Sequence, residues 1–510
     1  MHWRLTLGLV VLATLVTAPA MAENGIGQIK RGVPNANPKS GVQPTIIDPD
    51  FTLRLLATGT DKLENPSGPI TLFGQLSTGT LTEPDENTYL VLDQGPVGPT
   101  PGFDYGHHFL YQGHENASPL AYITRVNLDV PRGDQHRISL LTPVNPATNQ
   151  TGFGSIDGST FDPFTTKLLF TQEAGANGGV IEGAQSTLDA FLGKAGYEGI
   201  HPDSEGNLYI IEDTGGTTSH TPAINNGRQP NSFVYRYLPN NPARLRDGGR
   251  LQALQVIIDG SPVMFGGSAA VDSDISAPAQ LKLHTPGTSY PTKWVTIHIS
   301  HAGDTASFDA NAAAKAAGAT PFKRPENMAW LPSAHFSTFF FDPTGDTDAV
   351  AGDNPFLQAR GAYGAIFRVD LSDVGSNDGT ISLFYLGDHE HNSFDNLAFA
   401  NEHQLLAAED RGDTLHTQLN TLDSIWAFEV KAQNKAPIRF IALGRDATSI
   451  AHGEDNEPTG VFVSNGDTDP KHMPGNPESL AHARGFFTMQ HGDNNLYEIL
   501  SLTSPVVNNN

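Results

Sequence analysis

The chain of 510 residues contains no cysteine. This absence excludes a disulfide-stabilised scaffold, a cysteine-ligated zinc or iron–sulfur site, and a thiol nucleophile. Basic residues are also scarce, because 30 Lys and Arg stand against 55 Asp and Glu, a formal net charge of −25. Phosphate backbones repel so acidic a chain, and we therefore expect no nucleic-acid partner. Only 17% of residues are charged and 38% are hydrophobic, a balance typical of a folded protein.

Long hydrophobic runs are confined to the N-terminus. One cation, Arg4, precedes an apolar run from Leu5 to Val16 and a small-residue end at Ala20-Met21-Ala22, which is the layout of a secretory signal peptide. The run falls short of the roughly 20 residues that span a bilayer. We predict cleavage after Ala22, Sec-type export to the periplasm or the medium, and no membrane attachment afterwards.

Glycine and proline are abundant, at 52 and 36 residues, and they separate many short apolar runs. Several runs share one pattern, in which a turn of Asp, Asn or Gly precedes an apolar strand that ends in an acid. Repeated small sheets are typical of β-propeller blades, because a blade buries both faces only by stacking on its neighbours. A β-sandwich with insertions is the alternative. Three clear copies are FDPFTTKLLFTQE (161–173), HPDSEGNLYIIED (201–213) and FANEHQLLAAEDRGD (399–413).

The chain divides into four predicted segments. Helical patterns are limited to residues 185–196 and 309–319, and we expect both to be short insertions in an all-β protein. The predicted segments are a signal peptide (1–22), an extended N-terminal segment (23–50), a single propeller domain (51–502) and a disordered tail (503–510).

Acidic residues recur at or just past the ends of the apolar strands. In a propeller, equivalent strand ends converge at one mouth, where crowded carboxylates repel one another unless hard cations such as Ca²⁺ neutralise them. For any single acid, an ordinary turn residue is the alternative interpretation. The acids in such positions are Glu115, Glu173, Glu212, Asp213, Glu409 and Asp410.

One basic residue lies in a context that suggests a site. In FKRPENMAW (322–330), Pro325 biases Arg324 toward an extended conformation, which would turn Arg324 and Glu326 to the same face of a strand. Such a pair suits a site in which one side chain holds a metal and the other an anionic oxygen. A surface ion pair is the alternative.

These motifs, taken in order, resemble those of the PhoX-type alkaline phosphatases, a family of secreted bacterial proteins. The resemblance covers residues 85–500 and implies a six-bladed β-propeller whose axial mouth holds a cluster of iron and calcium ions. It also implies an enzyme that hydrolyses phosphomonoesters. It rests on FLYQGHENA, DGSTFDPFTTKLLFTQE, YEGIHPDSEGNLYIIED, SFVYRYLP, FKRPENMAW, GAIFRVDLS, FDNLAFANEHQLLAAED and the pair NEPTGVFVSNGD and GFFTMQHGDNN.

The resemblance also implies roles for individual residues. Arg324 would bind the substrate phosphate, and Glu326 would be a catalytic metal ligand beside it. Glu173 and Glu198 would be further metal ligands. Weaker candidates for calcium or outer positions are Glu212, Asp213, Glu409, Asp410 and Glu457.

The chain departs from the family in three places: it lacks the twin-arginine export signal, Gln172 stands where the family has a Glu, and the metal-binding cysteine is missing. The family's iron pair uses a cysteine thiolate where this chain reads Asp157-Gly158-Ser159. Ligands that are all oxygen favour Ca²⁺, so we predict calcium and regard Fe³⁺ as the less favoured ion.

The predicted function is a secreted, monomeric, metal-dependent phosphomonoesterase that acts on a small phosphorylated substrate. Two alternatives remain at this point. One is a non-catalytic propeller that metals stabilise and that binds a ligand or partner, and the other is a calcium-dependent lactonase or esterase.

Overall fold

The computed structural model describes residues 24–116, 119–453 and 456–503. The predicted signal peptide (1–22) lies outside the described residues, as do residues 504–510 of the predicted tail. No helix within the described ranges is long and apolar enough to cross a bilayer.

The strands form six antiparallel blades in chain order, called I to VI here. Four short strands precede them: β1 (Ile46–Ile47), β2 (Phe51–Ala57), β3 (Lys62–Ser67) and β4 (Ile70–Leu72). Blade I comprises β5 (Glu83–Val91), β6 (His108–Glu115), β7 (Tyr122–Asn127) and β8 (Ile138–Leu140). Blade II comprises β9 (Ile156–Asp162), β10 (Lys167–Gln172), β11 (Gly179–Glu182) and β12 (Ser186–Thr187). Blade III comprises β13 (Tyr197–Pro202), β14 (Leu208–Glu212), β15 (Val234–Pro239) and β16 (Gly248–Ile258).

After β17 (Ser261–Pro262) and β18 (Ser289–His301), the remaining blades follow. Blade IV comprises β19 (Pro325–Trp330), β20 (Thr338–Pro343), β21 (Ala365–Leu371) and β22 (Asp378–Leu386). Blade V comprises β23 (Phe394–Asn401), β24 (Gln404–Glu409), β25 (Ser424–Glu429) and β26 (Ile438–Ala442). Blade VI contains β27 (Pro458–Ser464), β28 (Arg484–Met489) and β29 (Leu496–Ser501).

The blades close into a ring around a central axis. The first strands of the six blades (β5, β9, β13, β19, β23 and β27) contact one another in cyclic order. The N-terminal β2 pairs with β29 and completes blade VI, so the two ends of the chain share one blade. The prediction of an all-β propeller is confirmed, and the sandwich alternative is excluded. One feature was not predicted: β18 pairs with both β16 and β22 and thereby joins blades III and IV into one sheet.

The core lies between the faces of neighbouring blades. Between blades III and IV, the rings of Tyr209, Trp330 and Phe339 meet edge to face, with centroids 4.7 Å and 5.4 Å apart for the two pairs that involve Trp330. All three side chains are buried. Aromatic pairs of this geometry stabilise the contact beyond their buried area, and they explain why the apolar runs are rich in Phe and Tyr.

A bulge interrupts the pairing of the first and second strands at the same level in all six blades. In blade IV, for example, the pairing moves from Pro325–Pro343 directly to Met328–Phe341. Such a bulge leaves the intervening residues outside the ladder and redirects their side chains. A glycine at this level brings neighbouring blades close together, since a Cβ on Gly158 would lie 2.3 Å from the carbonyl oxygen of Glu198.

Helices are short and lie in the connections. The predicted helix over 185–196 is reduced to four residues, because Ser186–Thr187 form β12 before it and Gly193 adopts a φ of 72° directly after it. The predicted helix over 309–319 begins where the Asp309 side chain accepts a hydrogen bond from the Ala312 N–H. The helices are α1 (Asp189–Leu192), α2 (Val271–Ser276), α3 (Pro278–Leu283), α4 (Ala310–Ala316), α5 (Ala349–Gly352), α6 (Pro355–Gln358), α7 (Gly412–Leu419) and α8 (Ala447–His452). Single 3₁₀ turns occur at Gly175–Asn177, Pro222–Ile224, Leu245–Asp247, Pro332–Ala334, Pro470–His472 and Pro477–Leu480.

A buried histidine after α3 makes stability depend on pH. Burial, with repulsion from Lys323 and Arg360, lowers the pKa of His284 from 6.5 to about 4. Between these values the unfolded chain binds a proton that the folded chain does not, so stability falls as the pH falls. His284 alone lowers the free energy of unfolding by about 2 kcal/mol at pH 5 relative to pH 8. We expect His284→Gln to reduce this loss in denaturant unfolding at the two pH values. Identical losses for wild type and variant would contradict the assignment.

Candidate functional site

An inner ring of acids lines the axis at the level of the bulges. Each of five blades contributes one acid at the start of its first strand, and blade VI has Thr459 at that place. The Asp157 and Glu326 side chains are buried. The bulge is the reason that these side chains point inward. The inner ring consists of Asp85, Asp157, Glu198, Glu326 and Asp395.

A second set of acids reaches the same mouth from the ends of the second strands. Glu115 ends β6, Glu173 follows β10, Asp213 follows β14 and Asp410 follows β24. The two sets meet in two tight groups of carboxylates, in each of which the nearest oxygens all lie within 4.8 Å of one another. The groups are Asp85, Glu115 and Asp157, and Asp157, Glu173 and Glu198.

Burial and mutual repulsion raise the pKa values of these carboxyls. Burial is the main cause for Asp85, whose pKa rises to about 6, and for Glu326, whose pKa rises to about 8 with a further contribution from Asp213. A carboxyl with a pKa above neutrality, such as that of Glu326, becomes fully charged at neutral pH only when a cation neutralises it. The pKa is also raised well above its ordinary value in Glu115, Asp157, Glu173, Glu198 and Asp395.

Arg324 places a guanidinium among these acids. Its Nε donates to Asp213 Oδ2 at 2.8 Å, and its Nη2 lies 3.4 Å from Glu326 Oε1 and 3.8 Å from Asp410 Oδ2. The expected extended conformation of Arg324 is wrong, because its φ is 50° and β19 begins only at Pro325. The Thr344 N–H donates to the Arg324 carbonyl at 2.7 Å and holds this bend. Left-handed backbone at a non-glycine residue is strained, and such strain concentrates at functional sites.

The structure does not bring Glu212 or Glu409 into the cluster. The Glu212 carboxylate accepts from Phe233 N at 3.1 Å, and from Tyr235 Oη and Asn311 Nδ2 at 2.7 Å. The Glu409 carboxylate accepts from Ser424 N and ion-pairs with the buried Arg411. Successive strand residues point to opposite faces, so in each Glu-Asp pair only the Asp reaches Arg324.

Because Glu409 pairs with the buried Arg411 and not with Arg324, we expect its substitution to lower the free energy of unfolding strongly. Glu409→Ala leaves the Arg411 guanidinium, whose side chain is 2% exposed, without its closest charged partner. Breaking a buried ion pair costs about 3–5 kcal/mol, which we expect to measure as a lower free energy of unfolding in urea. Calcium affinity of the folded variant should match that of wild type. If Glu409→Ala instead weakened calcium binding and left stability intact, the assignment of Glu409 to the scaffold would be wrong.

Glu457 lies at the rim of the mouth. Its Oε2 is 3.5 Å from Nε2 of His491, and its backbone carbonyl accepts from Gln490 N at 2.9 Å. Gln490 in turn donates to Asp85 Oδ2 at 2.7 Å and to Glu115 Oε1 at 3.1 Å. Glu457 is therefore linked to the inner ring through its neighbours.

Four acids near the axis were not predicted from the sequence: Asp85, Glu86, Asp342 and Asp395. Glu86 accepts from Ser159 N at 2.6 Å and from Asn327 Nδ2, and burial raises its pKa to about 7. The signal for the inner ring was present as an acid directly after Pro or a large apolar residue at the start of a first strand. The instances are Pro84-Asp85, Ile156-Asp157, Tyr197-Glu198, Pro325-Glu326 and Phe394-Asp395.

Unpaired oxygens test whether the site suits a cation. Near the axis, among the described residues, one carboxylate oxygen in each of four buried acids has no hydrogen-bond partner: Asp157 Oδ2, Asp213 Oδ1, Asp342 Oδ2 and Asp395 Oδ2. Buried polar groups nearly always have a partner. The donors are all oxygens, which suits hard cations such as Ca²⁺, whereas no thiolate is available for the iron pair of the family.

Known proteins resemble this chain in fold and in part of its sequence. The family model described as alkaline phosphatase PhoX matches residues 225–468. Pseudomonas fluorescens PhoX, solved with the transition-state analogue vanadate, aligns at a TM-score of 0.54 and 13% identity over 95% of this chain and 99% of that one. A Xanthomonas campestris gluconolactonase aligns at a TM-score of 0.37 and 10% sequence identity, over 92% of this chain and 99% of that one. No curated protein matches the chain. The family model and the shared fold confirm the predicted resemblance to the PhoX-type alkaline phosphatase family.

Proposed function

We propose that the chain is a metal-dependent phosphomonoesterase of the PhoX type, with hard divalent cations held by the carboxylates at the propeller mouth. The observation that carries the proposal is the position of Arg324. Its side chain is 20% exposed, and it contacts Asp213 and Glu326 beside carboxylates whose oxygens lack partners. A guanidinium next to a cation site is the arrangement that binds a phosphate group.

Each residue has a role that follows from its contacts. Arg324 binds two phosphate oxygens through its planar fork, and Asp213 and Glu326 hold the guanidinium in orientation before the substrate arrives. The Thr344 hydroxyl oxygen lies within hydrogen-bond distance of both Glu326 Oε1 and the Phe394 carbonyl oxygen, and these contacts hold the Glu326 carboxyl in place. When bound, the cations supply charge neutralisation and a water of lowered pKa. The residues that would hold them are Asp85, Glu115, Asp157, Glu173, Glu198 and Glu326.

We also propose that the protein acts outside the cytoplasm, where calcium is plentiful. This rests on the signal-peptide pattern of residues 1–22 and on the resemblance to a secreted family. The substrate is then a small phosphomonoester, since Arg324 lies among carboxylates rather than on a basic surface.

Hydrolysis of p-nitrophenyl phosphate by the purified protein tests this function. We expect hydrolysis at alkaline pH with calcium, loss of hydrolysis after chelation, and recovery when calcium is returned. Absence of hydrolysis with calcium and with added iron, in a protein that calcium still stabilises, would favour the non-catalytic propeller instead.

A further inference from the structure

Asp157 belongs to both tight groups of carboxylates. It is the one residue that Asp85 and Glu115 share with Glu173 and Glu198. We infer that Asp157 bridges two hard divalent cations, one held with Asp85 and Glu115 and the other with Glu173 and Glu198, so that this chain carries a carboxylate-bridged pair in place of a thiolate-ligated iron. The inference concerns the site of the proposed function and names its ions and their shared ligand.

The spacing of the oxygens fits a cation in each group. Calcium binds oxygen at 2.3–2.6 Å, so two ligands of one ion lie at most about 5 Å apart. The nearest oxygens of each group lie within 4.8 Å of one another, which meets this limit. Asp157 lies on β9 of blade II, between the first strands of blades I and III, and is therefore placed to serve both sides.

Cationic side chains offset the charges of the two groups only in part, since Arg324 acts to lower the pKa of Glu173 but forms no ion pair with it. Arg324 ion-pairs with Asp213, Glu326 and Asp410, and no cation within the described ranges ion-pairs with any of the five acids of the two groups. Two divalent cations would offset four of these five negative charges. His114 on β6 is no ion-pair partner of these acids either, because its two ring nitrogens contact the hydroxyls of Thr82 and Thr124.

An independent observation points to a missing ligand. The Asp157 side chain is buried, yet no N–H or hydroxyl in the described part of the chain donates to its Oδ2, and the side-chain group that it meets is another acid, Glu198. Asp395 of the inner ring, outside both groups, has the same defect at its own Oδ2. Gln490 donates to Asp85 and Glu115 and so fixes these carboxylates from outside, as outer partners of metal ligands do.

Calcium titration calorimetry on chelator-treated protein tests the bridge. We expect wild type to bind two calcium ions at this site, and Asp157→Asn to weaken both by about 10- to 100-fold or more, since changes even to outer partners of metal ligands have effects of this size. Glu115→Gln and Glu198→Gln should each strongly weaken the binding of one calcium ion, while binding of the other ion stays detectable. The matched control is Asp162→Asn on the same strand, because Asp162 is buried and accepts from Phe164 N and Thr165 Oγ1 outside the cluster. Its calcium binding should equal that of wild type.

Two results would overturn the inference: loss of only one ion in Asp157→Asn, or calcium binding unchanged by this substitution. If Asp157→Asn fails to fold, the pair Glu115→Gln and Glu198→Gln decides, because loss of the same ion in both would contradict two separate sites joined by a bridge. Failure of the proposed function is distinguishable, since a protein that binds the calcium pair but hydrolyses no phosphomonoester supports the bridge and rejects the phosphatase.

Discussion

Replacing Arg324 with alanine is expected to lower kcat/KM for p-nitrophenyl phosphate by about 10³-fold. The guanidinium is held by Asp213 Oδ2 at 2.8 Å and lies 3.4 Å from Glu326, so it is pre-positioned and needs no reorganisation when a phosphate binds. A pre-positioned charge of this kind acts mainly on the transition state, where phosphate oxygens gain charge. Steady-state kinetics at saturating calcium measures the effect.

Two further variants separate charge from geometry. Arg324→Lys keeps the positive charge but loses the planar fork, and we expect it to retain only part of the activity. Arg368→Ala is the matched control, because Arg368 pairs with Asp370 on an outer strand and its side chain is 36% exposed. Its kinetics should equal those of wild type. Equal kcat/KM for Arg324→Ala and Arg368→Ala would contradict the role of Arg324 in binding phosphate.

Removing the cations is expected to destabilise the fold as well as abolish activity. Carboxylates from different blades meet at the axis, so without cations their repulsion acts directly against closure of the ring. A ligand that binds only the folded state stabilises it by about 2.7 kcal/mol per site at 100 times its Kd. We therefore expect thermal unfolding in excess calcium at a clearly higher Tm than after chelation.

The control for this effect is ionic strength. Sodium chloride at matched ionic strength screens exposed charges but does not replace specific ligands of a buried site. It should recover little of the lost stability, whereas returned calcium should recover all of it. A Tm that chelation leaves unchanged would mean that protons, rather than cations, neutralise the axial carboxylates.

The propeller was predictable because its signal is local. Each blade repeats a turn, an apolar strand and an acid, and only stacking around an axis buries both faces of such units. The link through β18 was not predictable, since its partners β16 and β22 lie on either side of it in the fold and no local pattern reports such pairing. The completion of blade VI by β2 is equally non-local.

The site was predictable in outline and not in its details. Strand-end acids were expected at one mouth, and Glu115, Glu173, Asp213 and Asp410 do lie there. The sequence could not say which acid of a Glu-Asp pair faces the axis, because one residue of register reverses the face.

The inner-ring acids posed a different difficulty. Asp85 and Asp395 precede their strands' apolar residues and look like ordinary turn acids. Only the bulge, which is formed by contact between neighbouring strands, turns them toward the axis. Arg324 shows the same limit, since the residue preference before proline was overruled by the tertiary contact of its carbonyl with Thr344.

The central claim is that cations held by the axial carboxylates enable phosphate-ester hydrolysis. The most direct test adds calcium stepwise to the chelator-treated protein and follows bound calcium and p-nitrophenyl phosphate hydrolysis in the same samples. We expect no hydrolysis without calcium, and a rate of hydrolysis that rises with the calcium occupancy of the axial site until the site is full. Hydrolysis by the metal-free protein, or none at full occupancy, would contradict this claim.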